Sequence, residues 1–568
     1  MCGIAGIIGR KASELLLDKM LFAQKHRGPD FTGKYCAESI VLGHNRLSII
    51  DLSEDANQPF FSTDKRYILV FNGEIYNYLE LKIALAKDYH FTTKSDTEVL
   101  LAAYIKWGKH CLEKLNGMFS FAVWDTETKK LFAARDRFGV KPFYYSFNDT
   151  KFSFASEIKT LFAAGILKKS NNQVWASYFS FGSYGLPNET FWEGVHQLPG
   201  GHFLEYQHDK LTIEKWYFFE EEINKHQKTL PFEEVKATYH KLLEDSIKLR
   251  FRADVPVGFN ISGGVDSSLL LAFVNRVQNN KNINAYTFYT NNKEYDELPW
   301  VEEMISLTNN PLNKVLLEVD DIEQLALEMS VLQDEPFGGI PTIAYGEIFK
   351  QAKKDGVKVL LDGQGMDEQW AGYDYYLNKN NSVVQGVTKS PFRTTILNTK
   401  FLKLAKKPMY PKPFSDEVLN LQYRDLFYTK IPRALRFNDR VSMGASTELR
   451  EPFLDYRLVE FAFAQPLDYK IKNGIQKYLL RQLASERLSD SISFTPKRPL
   501  QTPQREWLGN ELKEFVNLQL DKIDSSIYED WFNKKALKQE WENYLNGDNN
   551  SSFYIWQWVS LSLILNDE

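Results

Sequence analysis

The residues best suited to chemistry form one short string, Ile261-Ser262-Gly263-Gly264-Val265-Asp266-Ser267-Ser268, set between apolar runs at 257–261 and 269–277. A strand therefore feeds a loop that feeds a helix. Two glycines free the backbone to wrap an anion, successive amides point inward with a helix N-terminus behind them, and Ser262, Ser267 and Ser268 add hydroxyl donors, which makes a phosphate cradle. It is not a Walker loop. The spaced second glycine followed by Lys and Ser or Thr is missing, and a carboxylate, Asp266, stands where such a loop places its lysine. An acid among phosphates points to Mg²⁺, which prefers carboxylate oxygens, keeps its waters and bridges phosphates. A Gly-Ser turn ahead of an ordinary helix is the competing reading.

Cys2 is the second chemical feature. Removal of Met1 would leave a residue carrying both a thiol and a free α-amine of pKa about 8, so that nucleophile and base share one residue. A cysteine that merely lies near a terminus is the alternative. Polar clusters follow at His26-Arg27-Gly28-Pro29-Asp30, His44-Asn45-Arg46-Leu47-Ser48-Ile49, Asn72-Gly73-Glu74-Ile75-Tyr76-Asn77 and Ser95-Asp96-Thr97-Glu98.

The elements that must position these residues fall into two patterns. From residue 3 to about 205, short β-rich runs (40–43, 67–71, 119–124, 130–134, 151–155) are separated by turn residues, and 96–107 carries apolar residues at helical spacing after Ser95-Asp96. Sheets with a few covering helices follow. The polar stretch from Glu220 to Leu230 marks a boundary, after which Pro231 opens a new helix. Beyond it the chain alternates: strand 257–261, helix 267–277, strand near 284–290, helix from about 297, strand near 314–319, helix near 321–330, a helix ending at Asp355-Gly356 and strand 357–361. That alternation predicts a parallel sheet. Its carboxyl edge would carry both SGGVDSS and a second acidic loop, Asp362-Gly363-Gln364-Gly365-Met366-Asp367-Glu368. From about 400 onward the pattern is mainly helical, with no internal repeat and no low-complexity segment beyond an Asn-rich patch at 378–381.

At 568 residues, the chain is long enough for two to four domains of roughly 100–200 residues. A net charge of −5 offers no basic field for nucleic acid. Three cysteines, Cys2, Cys36 and Cys111, are too few for a disulfide framework and fit a reducing, cytoplasmic compartment. No signal peptide is expected, and the apolar stretch 553–565 is too short for the ~20 residues of a membrane span. It reads as a packed terminal helix in a soluble protein.

MCGI, HRGPD, the Arg-Leu-Ser-Ile segment, NGEIYN, the run from Arg135 to Tyr145 (RDRFGVKPFYY) and SGGVDSS together resemble the glutamine-hydrolysing asparagine synthetases over nearly the whole chain. The resemblance implies an N-terminal-nucleophile αββα sandwich at 2–220, followed at 231–568 by a parallel-sheet α/β domain of ATP-pyrophosphatase type with a helical C-terminal part. It implies that Cys2 attacks the carboxamide of glutamine, with Ile49 in the glutamine site. Arg46 would take the α-carboxylate, Asn72 and the Gly73 amide would form an oxyanion hole, and Glu74 and Asp96 would hold the α-ammonium. Taken singly, Arg46 also reads as a surface ion pair, Asn72-Gly73 as a hairpin turn and Asp96 as a helix N-cap.

In the second half the resemblance makes Ser262 to Ser268, with Gly263 and Gly264, the pyrophosphate grip. Asp266 and Asp367 become Mg²⁺ ligands, and Ile261, Thr290, Asp362 and Gly363 become backbone contacts to ATP. Lys477, within Asn473 to Arg481, would place positive charge beside the α-phosphate; a solvated helix lysine is its plain alternative. Asn438-Asp439-Arg440 and Glu451 to Asp455 also match and read as architecture near the site. The implied small molecules are glutamine, ATP and aspartate, with a homodimer left open.

One position departs from the pattern. The family usually shows Ser-Gly-Glu-Gly-small-Asp-Glu where this chain has Asp362 to Glu368, so a substrate-side glutamate is replaced by Gln364 and a small residue by Met366. The amide removes a charge that would hold an acceptor's ammonium or poise the attack of ammonia. An acceptor acid other than aspartate, and a weakened paralogue that only binds glutamine or nucleotide, are the rival readings.

Overall fold

The computed structural model describes residues 1–9, 12–148, 151–226, 230–280, 282–378, 390–494 and 502–565. Most of the Asn-rich patch lies outside them. In the N-terminal half the β-rich runs pair into two six-stranded antiparallel sheets. The first runs His196–Gln197, Tyr144–Asn148, Lys151–Ala155, Gly3–Gly9, Ile40–Arg46, Phe31–Ala37, and the second Lys210–Lys215, His202–Gln207, Lys130–Arg135, Gly117–Asp125, Tyr67–Ile75, Phe60–Phe61. Their facing sides bury Ile4, Leu42, Val70, Ala122, Leu131 and Phe154 in one core. Helices Tyr78–Leu85 and Asp96–Trp107 lay Leu81, Val99 and Leu100 on the outside of the second sheet. Helices Glu14–Ala23 and Ile158–Ala163 bring Leu17, Leu21 and Leu161 against Ala5 and Ile7 of the first. This is the expected helix–sheet–sheet–helix sandwich.

The C-terminal half holds a five-stranded parallel sheet in the order Leu312–Leu316, Ala285–Tyr289, Val257–Asn260, Val359–Leu361, Glu448–Arg450. Four of its strands were legible; the fifth was not. Three residues with two charges give no apolar run, and their burial is made tolerable by pairing rather than by hydrophobicity. The helix after SGGVDSS begins at Val265 rather than 267, so Asp266 and Ser267 lie in its first turn. Phe259 pairs with Leu361, so the loops after both strands leave one edge side by side.

Part of the charged stretch expected to be a connecting segment folds. Phe219–His226 is a helix, with Phe219 seated 4.9 Å from Phe463 and the neighbouring Tyr217 hydroxyl 2.8 Å from Glu460. Phe553–Leu565 is the buried terminal helix expected, and among the described residues no helix is long and apolar enough to cross a membrane.

Candidate active sites

Cys2 immediately precedes the strand Gly3–Gly9 and faces Asn72 on the neighbouring sheet. Its backbone nitrogen donates to Asn72 Oδ1 at 3.0 Å, and its Sγ lies 3.9 Å from the Leu47 carbonyl. With its oxygen so engaged, Asn72 presents Nδ2 the other way, fully buried and with no acceptor. An orphaned buried donor costs about 1–3 kcal/mol, which a substrate oxyanion would remove. Burial pushes the Cys2 thiol up, while the N-terminal ammonium, the Leu47 carbonyl and Arg46 pull it back. Attack therefore needs a base at hand, and while Met1 is attached the Cys2 nitrogen is an amide that cannot serve. Asn72-Gly73 is not a turn. Both lie inside the strand Tyr67–Ile75, where Gly73 has φ +154° and a Cβ would stand 2.1 Å from the Met118 carbonyl.

Arg46 is no surface ion pair. It is 5% exposed, its Nη1 donates to Ser53 O (2.7 Å) and Asn57 Oδ1 (2.8 Å), and its Nη2 to Asp51 O. It clamps the 51–57 loop, so capture of a carboxylate would fall to its remaining donors. Ile49 is buried beside Met1, and its carbonyl accepts from Asp254 N at 2.8 Å. Asp96 is not the helix cap either. Ser95 caps, accepting from Glu98 N, while the Asp96 carboxylate accepts from Ile75 N at 2.9 Å. Burial pushes Asp96 up to about 6, and burial with Glu448 and Asp96 nearby pushes Glu74 well above its ordinary value.

The third carboxylate of this cluster comes from the other half of the chain and was missed in the sequence. Glu448 lies 3.0 Å from the Met1 ammonium, and Arg450 bonds Glu448 at 2.5 Å and approaches Glu74 at 3.7 Å. Glu74, Asp96 and Glu448 thus form a buried acidic cluster, with the Met1 ammonium held by Glu448, and such a cluster is suited to an amino acid's amine. Arg27 ties the same halves, donating to Cys2 O at 3.0 Å and to Asp439 at 2.8 and 3.2 Å. The signal existed in HRGPD and Asn438-Asp439-Arg440, but not their pairing.

On the sheet edge a cavity of about 540 Å³ is lined by Ile261, Ser262, Gly264, Asp266, Ser267, Asp362, Gly363, Gln364, Asp367 and Lys477, among others. Ser267 Oγ donates to Ser262 O at 2.8 Å, which fixes the turn. Gly263 packs on Trp300, with its amide 3.3 Å from Glu297 Oε2, and Ser268 is buried in the helix. The Ile261 amide goes to Tyr286 O (2.9 Å), that of Asp362 to Arg450 O (3.0 Å), and that of Thr290 to Asp296 (2.6 Å). Nucleotide contacts at these three positions would use other backbone atoms. Thr287 and Phe288 line the cavity rather than Thr290.

Lys477 is not a solvated helix lysine. It is 4% exposed, in the left-handed region (φ +54°), with Nζ 2.5 Å from Asp266 Oδ2 and 2.7 Å from Asp367 Oδ1. Burial opposes its charge, but the two carboxylates hold the ammonium above its ordinary value. Two acids converging on one cation is the arrangement expected of a Mg²⁺-phosphate site. Among the described residues no group of three His, Cys, Asp or Glu side chains converges for a metal. Lys430 and Arg433 add cations to the lining, and Tyr184 reaches in from the N-terminal half.

A buried cysteine on a two-sheet sandwich, joined to a parallel sheet whose loop edge lines a cavity with two carboxylates and a lysine, is the arrangement of a glutamine-dependent synthetase. Residues 1–217 match the family described as glutamine amidotransferase domain, and 238–566 that described as asparagine synthase. The chain is 31% identical over 543 residues to glutamine-hydrolyzing asparagine synthetase 3 of Bacillus subtilis, covering 88% of this chain and 86% of that protein. It is 29% identical to asparagine synthetase 1 of the same organism, over 94% and 92%. It is 36% identical to putative asparagine synthetase 2 of Methanocaldococcus jannaschii, over 66% and 76%. The chain belongs to the asparagine synthase family.

Proposed function

We propose that the protein amidates aspartate to asparagine, hydrolysing glutamine and splitting ATP to AMP and pyrophosphate. One observation carries this reading: the strand Glu448–Arg450 is both the fifth strand of the nucleotide sheet and a wall of the Cys2 site. Residues 2–220 act as the glutaminase and 231–568 as the synthetase.

Once Met1 is removed, the freed Cys2 amine takes the thiol proton as Sγ attacks the carboxamide carbon. Asn72 Nδ2 and the Gly73 amide receive the developing oxyanion, Glu74 and Asp96 hold the glutamine amine, and Arg46 meets its carboxylate. Ammonia leaves, and water releases glutamate from the thioester. At the other site the acceptor carboxylate attacks the α-phosphorus of ATP and displaces pyrophosphate, which the 262–268 turn cradles. Lys477 stabilises charge on the α-phosphate. Asp266 and Asp367 would hold Mg²⁺, which supplies charge neutralisation on the departing pyrophosphate. Adenylation is needed because a bare carboxylate offers no adequate leaving group. A cytoplasmic location fits the free thiols of Cys2, Cys36 and Cys111.

The test is ATP–pyrophosphate exchange across a panel of carboxylic acids. Exchange is expected with aspartate, and asparagine should form at a rate comparable to glutamine hydrolysis. Exchange with another acid alone would overturn the choice of acceptor, which Gln364 makes the most exposed part of the reading.

A further inference from the structure

Glu451 follows the shared strand in extended conformation (φ −112°, ψ 92°) and is 4% exposed. Leu361 pairs with Arg450 across the sheet, so Glu451 emerges beside Asp362 on the edge that carries Gln364. Its Oε2 is buried without a hydrogen-bond partner. The charged and titratable groups facing it are Lys141 and Arg250, Asp362 and Asp439, and the Tyr345 and Tyr76 hydroxyls. Burial above all pushes its carboxyl up to about 8, with Lys141 and Arg250 acting against it and the two aspartates with it.

Glu451 is also connected to the first site. Lys141, from the N-terminal half, lowers the proton affinity of both Glu448 and Glu451, and its ammonium lies 3.3 Å from the Leu449 carbonyl between them. The lysine is held there by Asp136, whose carboxylate accepts from the amides of Phe119, Phe138, Val140 and Lys141. Three residues of extended chain cover roughly 10 Å, so a buried polar line runs from Glu448, at the glutamine site, to Glu451, at the nucleotide edge.

We propose that Glu451 is the proton acceptor for the transferred nitrogen. Ammonia freed at Cys2 attacks the acyl carbon of the adenylate, the bond from that carbon to the AMP oxygen breaks with its electron pair leaving on AMP, and the proton shed by nitrogen ends on the Glu451 carboxylate. The assignment rests on the reaction proposed above. It answers the departure at Gln364, because an amide there is no base, whereas the neighbouring strand end supplies a carboxylate. An acid whose proton affinity lies near the working pH is suited to taking and returning a proton.

The experiment compares the full-length wild type with Glu451→Gln, and with Glu451→Asp as the conservative variant. It measures glutamate release, ATP–pyrophosphate exchange and amide formed, from glutamine and from added ammonium. Glu451→Gln should lower amide formed per glutamate released by roughly 100-fold or more. With ammonium, kcat should fall while the KM values for ATP and acceptor stay put, and Glu451→Asp should recover part of the loss. Unchanged coupling in Glu451→Gln overturns the proposal, as does a loss of pyrophosphate exchange parallel to the loss of amide, the mark of a structural role. Failure of the wild type to exchange with any acid would instead overturn the reaction assigned to the protein.

Discussion

At the scale of single residues, the acids of the glutamine site set a pH limit. Asp96 is raised to about 6 by burial, and only its anion can hold an ammonium. On the role proposed for Asp96, glutamine binding should be strong above that value and lost as pH falls through it. One unit below, KM for glutamine should be about tenfold higher, and Asp96→Asn should raise KM at neutral pH while flattening the profile. Initial rates of glutamate release across pH check this; a KM that does not change through that range contradicts the role given to Asp96. The types of residue gathered at the two candidate sites could be read from the sequence, because Cys2, Asn72, Asp266 and Lys477 sit in dense motifs. Their partners could not. That the Asn72 side-chain oxygen is taken by the Cys2 amide, and the Asp96 carboxylate by the Ile75 amide, depends on atoms brought together from distant parts of the chain, whereas the Ser95 cap is a local contact with Glu98.

Among the elements, the acidic loop after Val359–Leu361 shows how backbone shape protects a charge cluster. At Gly372 a Cβ would lie 2.0 Å from Asp367 Oδ1 and 2.2 Å from Lys477 Cε. Gly372→Ala must displace this pair, and overpacking of that kind costs about 1–3 kcal/mol. ATP–pyrophosphate exchange should fall by about tenfold or more while glutamate release persists; normal exchange would show that the pair is not needed for adenylation. The alternation of strand and helix from 257 to 361 was readable because apolar side chains mark Val257–Asn260, Ala285–Tyr289 and Val359–Leu361, whereas Leu312–Leu316, with Asn313 and Lys314 inside it, begins earlier than the 314–319 expected. Glu448–Arg450 escaped for the opposite reason: its glutamate and arginine are buried by pairing, with each other and with the N-terminus. The same holds for Phe219–His226, a helix whose charged face hid its anchoring Phe219.

On the scale of the whole molecule, the two halves are not loosely tethered. One apolar core runs from Ala5 and Trp175 to Phe337 and Trp556, another from Met1 and Tyr76 to Phe259 and Phe453. Arg27 adds a buried bridge from Cys2 to Asp439. The two-part organisation was legible from composition and motifs, but the intimacy of the contact was not, since interface residues look like any other core. Such a contact would shelter ammonia passing between the two sites, which bulk water would protonate and disarm. The most direct test supplies glutamine carrying heavy nitrogen in its amide together with a large pool of unlabelled ammonium, and measures the isotope in the product amide. Label retained in nearly every product molecule is the predicted result. A product whose isotope content follows the ammonium pool would contradict internal transfer from Cys2 to the nucleotide edge.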